Sequence, residues 1–364
     1  MKAGIITICD PQPNYGNRLQ NYALQEALKK LNIKTTTYSC EDKEISIKYM
    51  AYKIFNCLTF YKYTKDKNIW TKGYKRRLIF KKFNDKYLNI KQIKSLDNLK
   101  NKEDYFVLGS DQVWNYKWYS PKSKKKEVFL LTFARDEQKI CFAPSFGINK
   151  IDEEWKDYFR KNLQSIKYLS VREEAGEKII EDLTGRTCPV VIDPTMMLSA
   201  DEWRKIESAP KKVNTNKKYI LTYFLGEKDD NVNKYLKNIS EKFDLEVYNL
   251  LDYKQPDIYI TGPSEFLYLV DNASIVLTDS FHACVFSFLF NKPFLVFERK
   301  LEGNNMNSRI ETFLTKFNLE RKYVDNFEMD NAFEHNYNVG YEVLEKERNK
   351  ANNFLMKAFN MNEQ

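Results

Sequence analysis

Histidine is nearly absent from this chain: His282 and His335 are the only two among 364 residues. Cysteine is dispersed, at Cys9, Cys40, Cys57, Cys141, Cys188 and Cys284, with no C-x-x-C pair. Neither residue type offers the spacing of a zinc site, so no metal is expected. Several cysteines lie inside apolar runs and read as small buried hydrophobes of a reducing compartment. Glycine and proline number only 11 and 10, which excludes collagen-like and low-complexity chains. No apolar run approaches the ~20 residues of a membrane span. The apolar part of the N-terminus, closed by Asp10, is too short for a signal peptide. The expected location is therefore cytoplasmic, with peripheral contact to the inner face of the membrane as a second expectation. There is no G-x-G-x-x-G, P-loop or G-x-S-x-G string, so no nucleotide or serine-nucleophile motif is claimed.

What is present is alternation. Strands are expected at Gly4–Cys9, Lys34–Ser39, Tyr105–Leu108, Lys139–Ala143, Tyr168–Val171 and Pro189–Ile192, with helices at Asn17–Leu31, Asp152–Ser165 and Glu173–Leu183 between them. The second half repeats the grammar. Its strands are Tyr219–Leu225, Glu246–Leu250, Ala273–Leu277 and Phe294–Phe297; its helices include Asp230–Phe243, Pro263–Asp271, Ser308–Phe317 and Tyr341–Phe359. Such alternation predicts an α/β fold with parallel sheets. Two Rossmann-like domains are expected, 1–195 and 196–340, facing across a cleft, with a linker near Asp193–Lys218. The C-terminal helix, 341–364, is expected to pack back on the N-terminal domain. The basic, Tyr-rich stretch Ile45–Lys102 reads as a helical insertion in the first domain. The net charge of +9 is concentrated there, in Lys62–Lys102. That excess suits an anionic partner, and equally a solvated face.

Candidate chemistry sits past strand ends, where open α/β sheets bind ligands. After the first strand, Asn14, Tyr15, Gly16, Asn17 and Arg18 offer donors at a helix start, although an ordinary β–α turn is the preferred reading of this string taken alone. Ser110, Asp111, Gln112 and Trp114, in GSDQVWN, suit hydroxyl groups and a sugar face; helix capping and a core Trp114 are equally good readings. Arg172 can fork onto a carboxylate or phosphate, or pair with Glu173, Glu174 or Glu177. Asp193 reads as a helix cap. His282 follows Asp279-Ser280 at the mouth of an apolar helix, where an imidazole can hold an anion and deliver a proton. Ser308 and Arg309 open another helix in an anion-friendly way, and His335 reads as structural.

Taken in order, NYGNRLQNYALQ, GSDQVWN, FAPSFG, SVREEAG, VIDPTMML, GPSEFLYLVDNA, TDSFHACVFSFLFNKPFLVF and NSRIETFL resemble the polysaccharide pyruvyl transferase family from about Gly4 to Phe317. The resemblance implies a GT-B-like pair of domains. It also implies transfer of the enolpyruvyl unit of phosphoenolpyruvate onto two hydroxyls of a sugar, as a cyclic ketal in surface polysaccharide biosynthesis; a lipid-diphosphate-linked acceptor is expected. No cofactor or metal is implied. By motif, Arg172 matches the family's donor-holding arginine and His282 its histidine at the phosphoenolpyruvate site. Many members carry Arg in an S-R-F-H string where this chain has Asp279-Ser280-Phe281-His282. The missing cation is then expected from Arg309, with a lysine as the alternative. The catalytic pair is expected to be His282 and Asp111. Donor contacts are expected from Arg172, Arg309, Ser280 and Ser308, and acceptor or phosphate-loop contacts from Asn14, Tyr15, Gly16, Asn17, Ser110, Gln112 and Trp114. Two other readings stay open: a GT-B-like glycosyltransferase using a nucleotide sugar, and a non-catalytic protein binding anions or membranes through the basic arm. No nucleic-acid partner is expected, because no such motif accompanies the charge.

Overall fold

The computed structural model describes residues 1–9, 12–40, 67–119, 123–299, 308–324 and 329–361. The chain divides into two compact units. One comprises Met1–Pro13, Gln20–Pro194 and Phe354–Gln364; the other comprises Asn14–Leu19 and Thr195–Asn353.

The first unit carries a six-stranded sheet of β1 (Lys2–Ile6), β2 (Lys34–Cys40), β3 (Ile90–Ile93), β4 (Tyr105–Leu108), β5 (Lys139–Cys141) and β6 (Tyr168–Leu169). All pairings are parallel and the order is β3-β2-β1-β4-β5-β6. The order reverses between β1 and β4, whose ends align with Ile6 opposite Leu108. The crevice beyond that reversal is where such sheets take ligands. Helices α1 (Tyr15–Lys30), α2 (Lys67–Tyr87), α3 (Lys125–Phe129), α4 (Glu153–Gln164) and α5 (Glu174–Thr184) lie between the strands. Helix α5 stops at Gly185, whose left-handed backbone (φ 69°) suits glycine.

The second unit has a four-stranded parallel sheet of β7 (Tyr219–Tyr223), β8 (Glu246–Asn249), β9 (Ile275–Thr278) and β10 (Phe294–Val296), in the order β10-β9-β7-β8. Here the reversal lies between β7 and β9, with Tyr223 opposite Thr278. Its helices are α6 (Ala200–Arg204), α7 (Asp230–Phe243), α8 (Pro256–Tyr259), α9 (Pro263–Asp271), α10 (Phe281–Leu289), α11 (Ser308–Lys316) and most of α12 (Asn338–Ala358). Every residue of α10 is buried, as expected for a helix apolar on all sides.

Three expectations change. Residues 45–66 of the basic stretch lie outside the described residues, and the rest is not all helical: β3 forms the sheet edge beside β2. Pro189–Ile192 makes a single bridge, Val171 to Val190, because Pro189 has no N–H with which to extend a ladder. Much of the expected linker is folded. Trp203 is buried there, its indole N–H donates to the Thr195 carbonyl at 3.0 Å, and Ser199 caps α6. Among the described residues no helix is long and apolar enough to cross a membrane.

Candidate active site

In the first unit the polar groups gather past β4, β5 and β6. The Thr7 hydroxyl, just beyond β1, donates to the Ser110 carbonyl at 3.0 Å and accepts from the Gln20 amide at 2.8 Å. Ser110 donates through Oγ to Asp193 at 2.6 Å. Arg172 donates to Ser110 Oγ at 3.0 Å and forms a short ion pair with Asp193. Both charged side chains are almost wholly enclosed, at 2% and 0% exposure. Burial alone pushes the guanidinium pKa down, but the nearby Asp193, Asp111 and Glu173 outweigh it and hold it above the ordinary arginine value. Asp193, directly before the short helix Pro194–Met197, is thus the ion-pair partner of Arg172.

Asp111 is held in the left-handed region, at φ 81°. Its carbonyl accepts from Ser145 N–H at 2.9 Å and its carboxylate from Gln112 N–H at 2.8 Å. Strained backbone of this kind persists only where its surroundings enforce it, and it clusters at functional sites. Gln112 lies against Gly147, where a Cβ would come within 2.6 Å of the amide. Glu173 fixes the same loop by accepting from Ser145 Oγ and Phe146 N–H, both at 2.9 Å. Trp114 is core: it is fully buried, 4.9 Å from the Phe146 ring, with its N–H donated to the Phe129 carbonyl at 2.9 Å. No face of it is left for a sugar.

In the second unit Asp279 ties three strand ends together. Its carboxylate accepts from Leu225 N–H at 2.7 Å and Gly226 N–H at 2.8 Å, beyond β7, and from Arg299 Nε at 3.0 Å, beyond β10. Arg299 also donates to the Asp279 carbonyl at 2.8 Å. Ser280 then occupies the N-cap of α10 and is buried, its N–H donated to Thr278 Oγ1 at 3.0 Å. One turn-start later His282 stands 8% exposed against the first turn of α1. A Cβ on Gly16 would lie 2.0 Å from His282 Nδ1, so only glycine lets the helix backbone meet the ring.

That first turn is anchored within the same unit. Asn14 accepts from Asn17 N–H at 3.1 Å and so caps α1. Tyr15 is buried, stacked at 4.5 Å on Phe266, with its hydroxyl donated to the Thr261 carbonyl at 3.1 Å. Tyr15 is thus an anchor rather than a ligand contact. Arg18, also buried, donates to Asn17 Oδ1 at 3.3 Å. Arg309 and Ser308 are buried at the start of α11. Phe313, one turn after Arg309 on that helix, meets the Phe281 ring at 6.0 Å, so this face of α11 is the one turned to the mouth of α10.

The sequence profile of the polysaccharide pyruvyl transferases matches residues 14–300. The chain belongs to the polysaccharide pyruvyl transferase family. No curated protein matches it. Among solved structures it is similar to the UDP-GlcNAc 2-epimerase of Neisseria meningitidis bound to UDP-GlcNAc, at 13% identity over 99% of each chain with a TM-score of 0.46. It is also similar to the UDP-GlcNAc 2-epimerase of Methanocaldococcus jannaschii, at 15% identity over 95% of this chain and 99% of that one, with a TM-score of 0.42.

In this chain the expected residues fall into two groups. Gly16, Asn14, Tyr15, Asn17, Ser280, His282, Ser308 and Arg309 belong to the second unit, and Ser110, Asp111, Gln112, Trp114 and Arg172 to the first. Sequence reasoning missed Arg299 as a polar anchor and Glu173 as a loop holder. For Arg299 a signal was available: like Asp279, it closely follows a strand end. His335 is structural, its ring nitrogens lying 2.9 Å from the Phe333 carbonyl and 3.1 Å from that of Asn291. Among the described residues no cluster of potential metal ligands occurs.

Proposed function

We propose that this chain moves the enolpyruvyl unit of phosphoenolpyruvate onto two hydroxyls of a lipid-diphosphate-linked sugar, forming a cyclic ketal and releasing phosphate. The observation that carries the reading is the contact of Gly16 with His282. It sets an imidazole between the starts of two helices, α1 and α10, whose N–H groups favour an anion. Arg309 at the start of α11 adds the cation for the donor's carboxylate or phosphate, in place of the arginine absent beside Phe281, and Ser280 and Ser308 supply hydroxyls.

The chemistry asks for an acid, an anion clamp and a group that orients hydroxyls. His282 delivers a proton to the methylene carbon of phosphoenolpyruvate, leaving an oxocarbenium-like carbon. A sugar hydroxyl attacks that carbon, phosphate departs, and the second hydroxyl closes the ketal. In the first unit Asp111 orients or deprotonates the hydroxyls, held in place by Ser145 and Gln112. Arg172, enclosed by Asp193 and Ser110, acts through them as a positioning residue.

The test is turnover of His282→Ala and Arg309→Ala. His282→Ala should lose ~10²–10⁴-fold in kcat. Arg309→Ala should chiefly raise KM for phosphoenolpyruvate. Full activity in His282→Ala would remove the assignment. Melting shifts separate the donor classes: phosphoenolpyruvate should stabilise the protein and UDP-GlcNAc should not.

A further inference from the structure

Helix α2 holds eight basic residues against one acidic, Asp85, so it alone carries most of the chain's excess of nine positive charges. Its inner stripe is Arg76, Phe80 and Phe83, all buried, continued by the half-buried Tyr87, whose ring meets Tyr22 of α1 at 5.9 Å. At 100° per residue, Tyr74 and Leu78 lie directly opposite that stripe. They are among the large apolar side chains left in solvent, at 62% and 39% exposure. Exposed Arg77 and Lys81 flank them on one side and exposed Lys75 and Lys82 on the other. Only Lys81 among these four has an ion-pair partner among the described residues, Asp85 at 2.5 Å.

An apolar ridge between two rows of cations is the layout of a helix that lies in a bilayer interface. We propose that the outer face of α2 docks this protein on an anionic lipid surface, with Tyr74 and Leu78 entering the headgroup layer and Lys75, Arg77, Lys81 and Lys82 meeting lipid phosphates. The proposal commits to a membrane because the apolar pair sits at the centre of the cationic face; a purely ionic partner has no use for it. It stands apart from the reading of the donor site.

Sedimentation of the full chain with phosphatidylcholine vesicles, with and without phosphatidylglycerol, tests it. Binding should require phosphatidylglycerol and fall as salt shortens the screening length towards ~8 Å. Tyr74→Glu with Leu78→Glu should abolish it. Lys75→Gln with Lys81→Gln and Lys82→Gln should weaken it on the order of 100-fold, at about fivefold per cation. All these side chains are exposed, so both variants should keep the wild-type melting curve. The proposal falls if the variants bind vesicles as the wild type does, or if neutral vesicles bind equally well. It also falls if the chain binds single-stranded RNA and no vesicle, or if sedimentation velocity shows a dimer that Tyr74→Glu with Leu78→Glu splits. That last result would assign the face to a second copy.

Discussion

Gly16 and His282 are separated by 266 positions and share one point in space, so each explains the other. An added methyl at Gly16 has to displace the imidazole or shift the first turn of α1. Gly16→Ala should therefore lower kcat by about 10²-fold, the scale of an ångström-sized misplacement, while far-UV spectra stay unchanged. Wild-type turnover would show that the ring position is immaterial. The buried pair of Arg172 and Asp193 makes a different demand. Asp193→Ala leaves a guanidinium enclosed without its counter-charge, and urea unfolding should report a loss of about 3–5 kcal/mol. A loss under 1 kcal/mol would mean that solvent reaches the site. At this scale the place of His282 at a helix mouth was legible because it follows a strand end and stands alone in an apolar run. The partner of Arg172 was not legible, since it depends on the bridge that sets Val171 beside Val190. Trp114 had two readings of equal weight, and burial of its N–H against Phe129 decides for the core.

Elements were read best where local chemistry marks both ends. Helix α7 begins after Asp229, which accepts from Val232 N–H at 2.9 Å, and α9 begins with a proline in the first turn; both follow the expected spans. Reading failed at β3, a four-residue edge strand with a weak alternation inside a lysine-rich stretch. The short helical turn Glu320–Lys322, which leads into the bridge of Tyr323 with Val296, carries a testable charge. Burial lowers the Lys322 pKa from 10.5 to about 8, although Glu334 opposes this. Between those values the unfolded chain binds the proton and the folded one does not, so this group favours folding increasingly as pH rises from about 8. Lys322→Met should accordingly raise the melting temperature relative to wild type below pH 8, and the difference should narrow towards pH 10. A difference that stays constant with pH would show that Lys322 remains charged in the fold.

For the molecule as a whole, strand–helix alternation was enough to predict two α/β halves. The order of strands was not readable, because pairing depends on which helices cross over which strands. That order matters for function. It places the β1–β4 and β7–β9 reversals beneath Ser110 and Asp111 in one unit and Asp279 to His282 in the other. Family membership and these two clusters lead to one central claim, that the donor is phosphoenolpyruvate and the product a pyruvate ketal. The direct measurement is release of phosphate from phosphoenolpyruvate against a panel of lipid-diphosphate sugars, with the products read by mass. The account predicts one phosphate per sugar converted, a product heavier by one pyruvate less one water, and loss of both signals in His282→Ala. Glycosyl transfer from a nucleotide sugar by the same preparation, with no phosphate released from phosphoenolpyruvate on any acceptor, would contradict it.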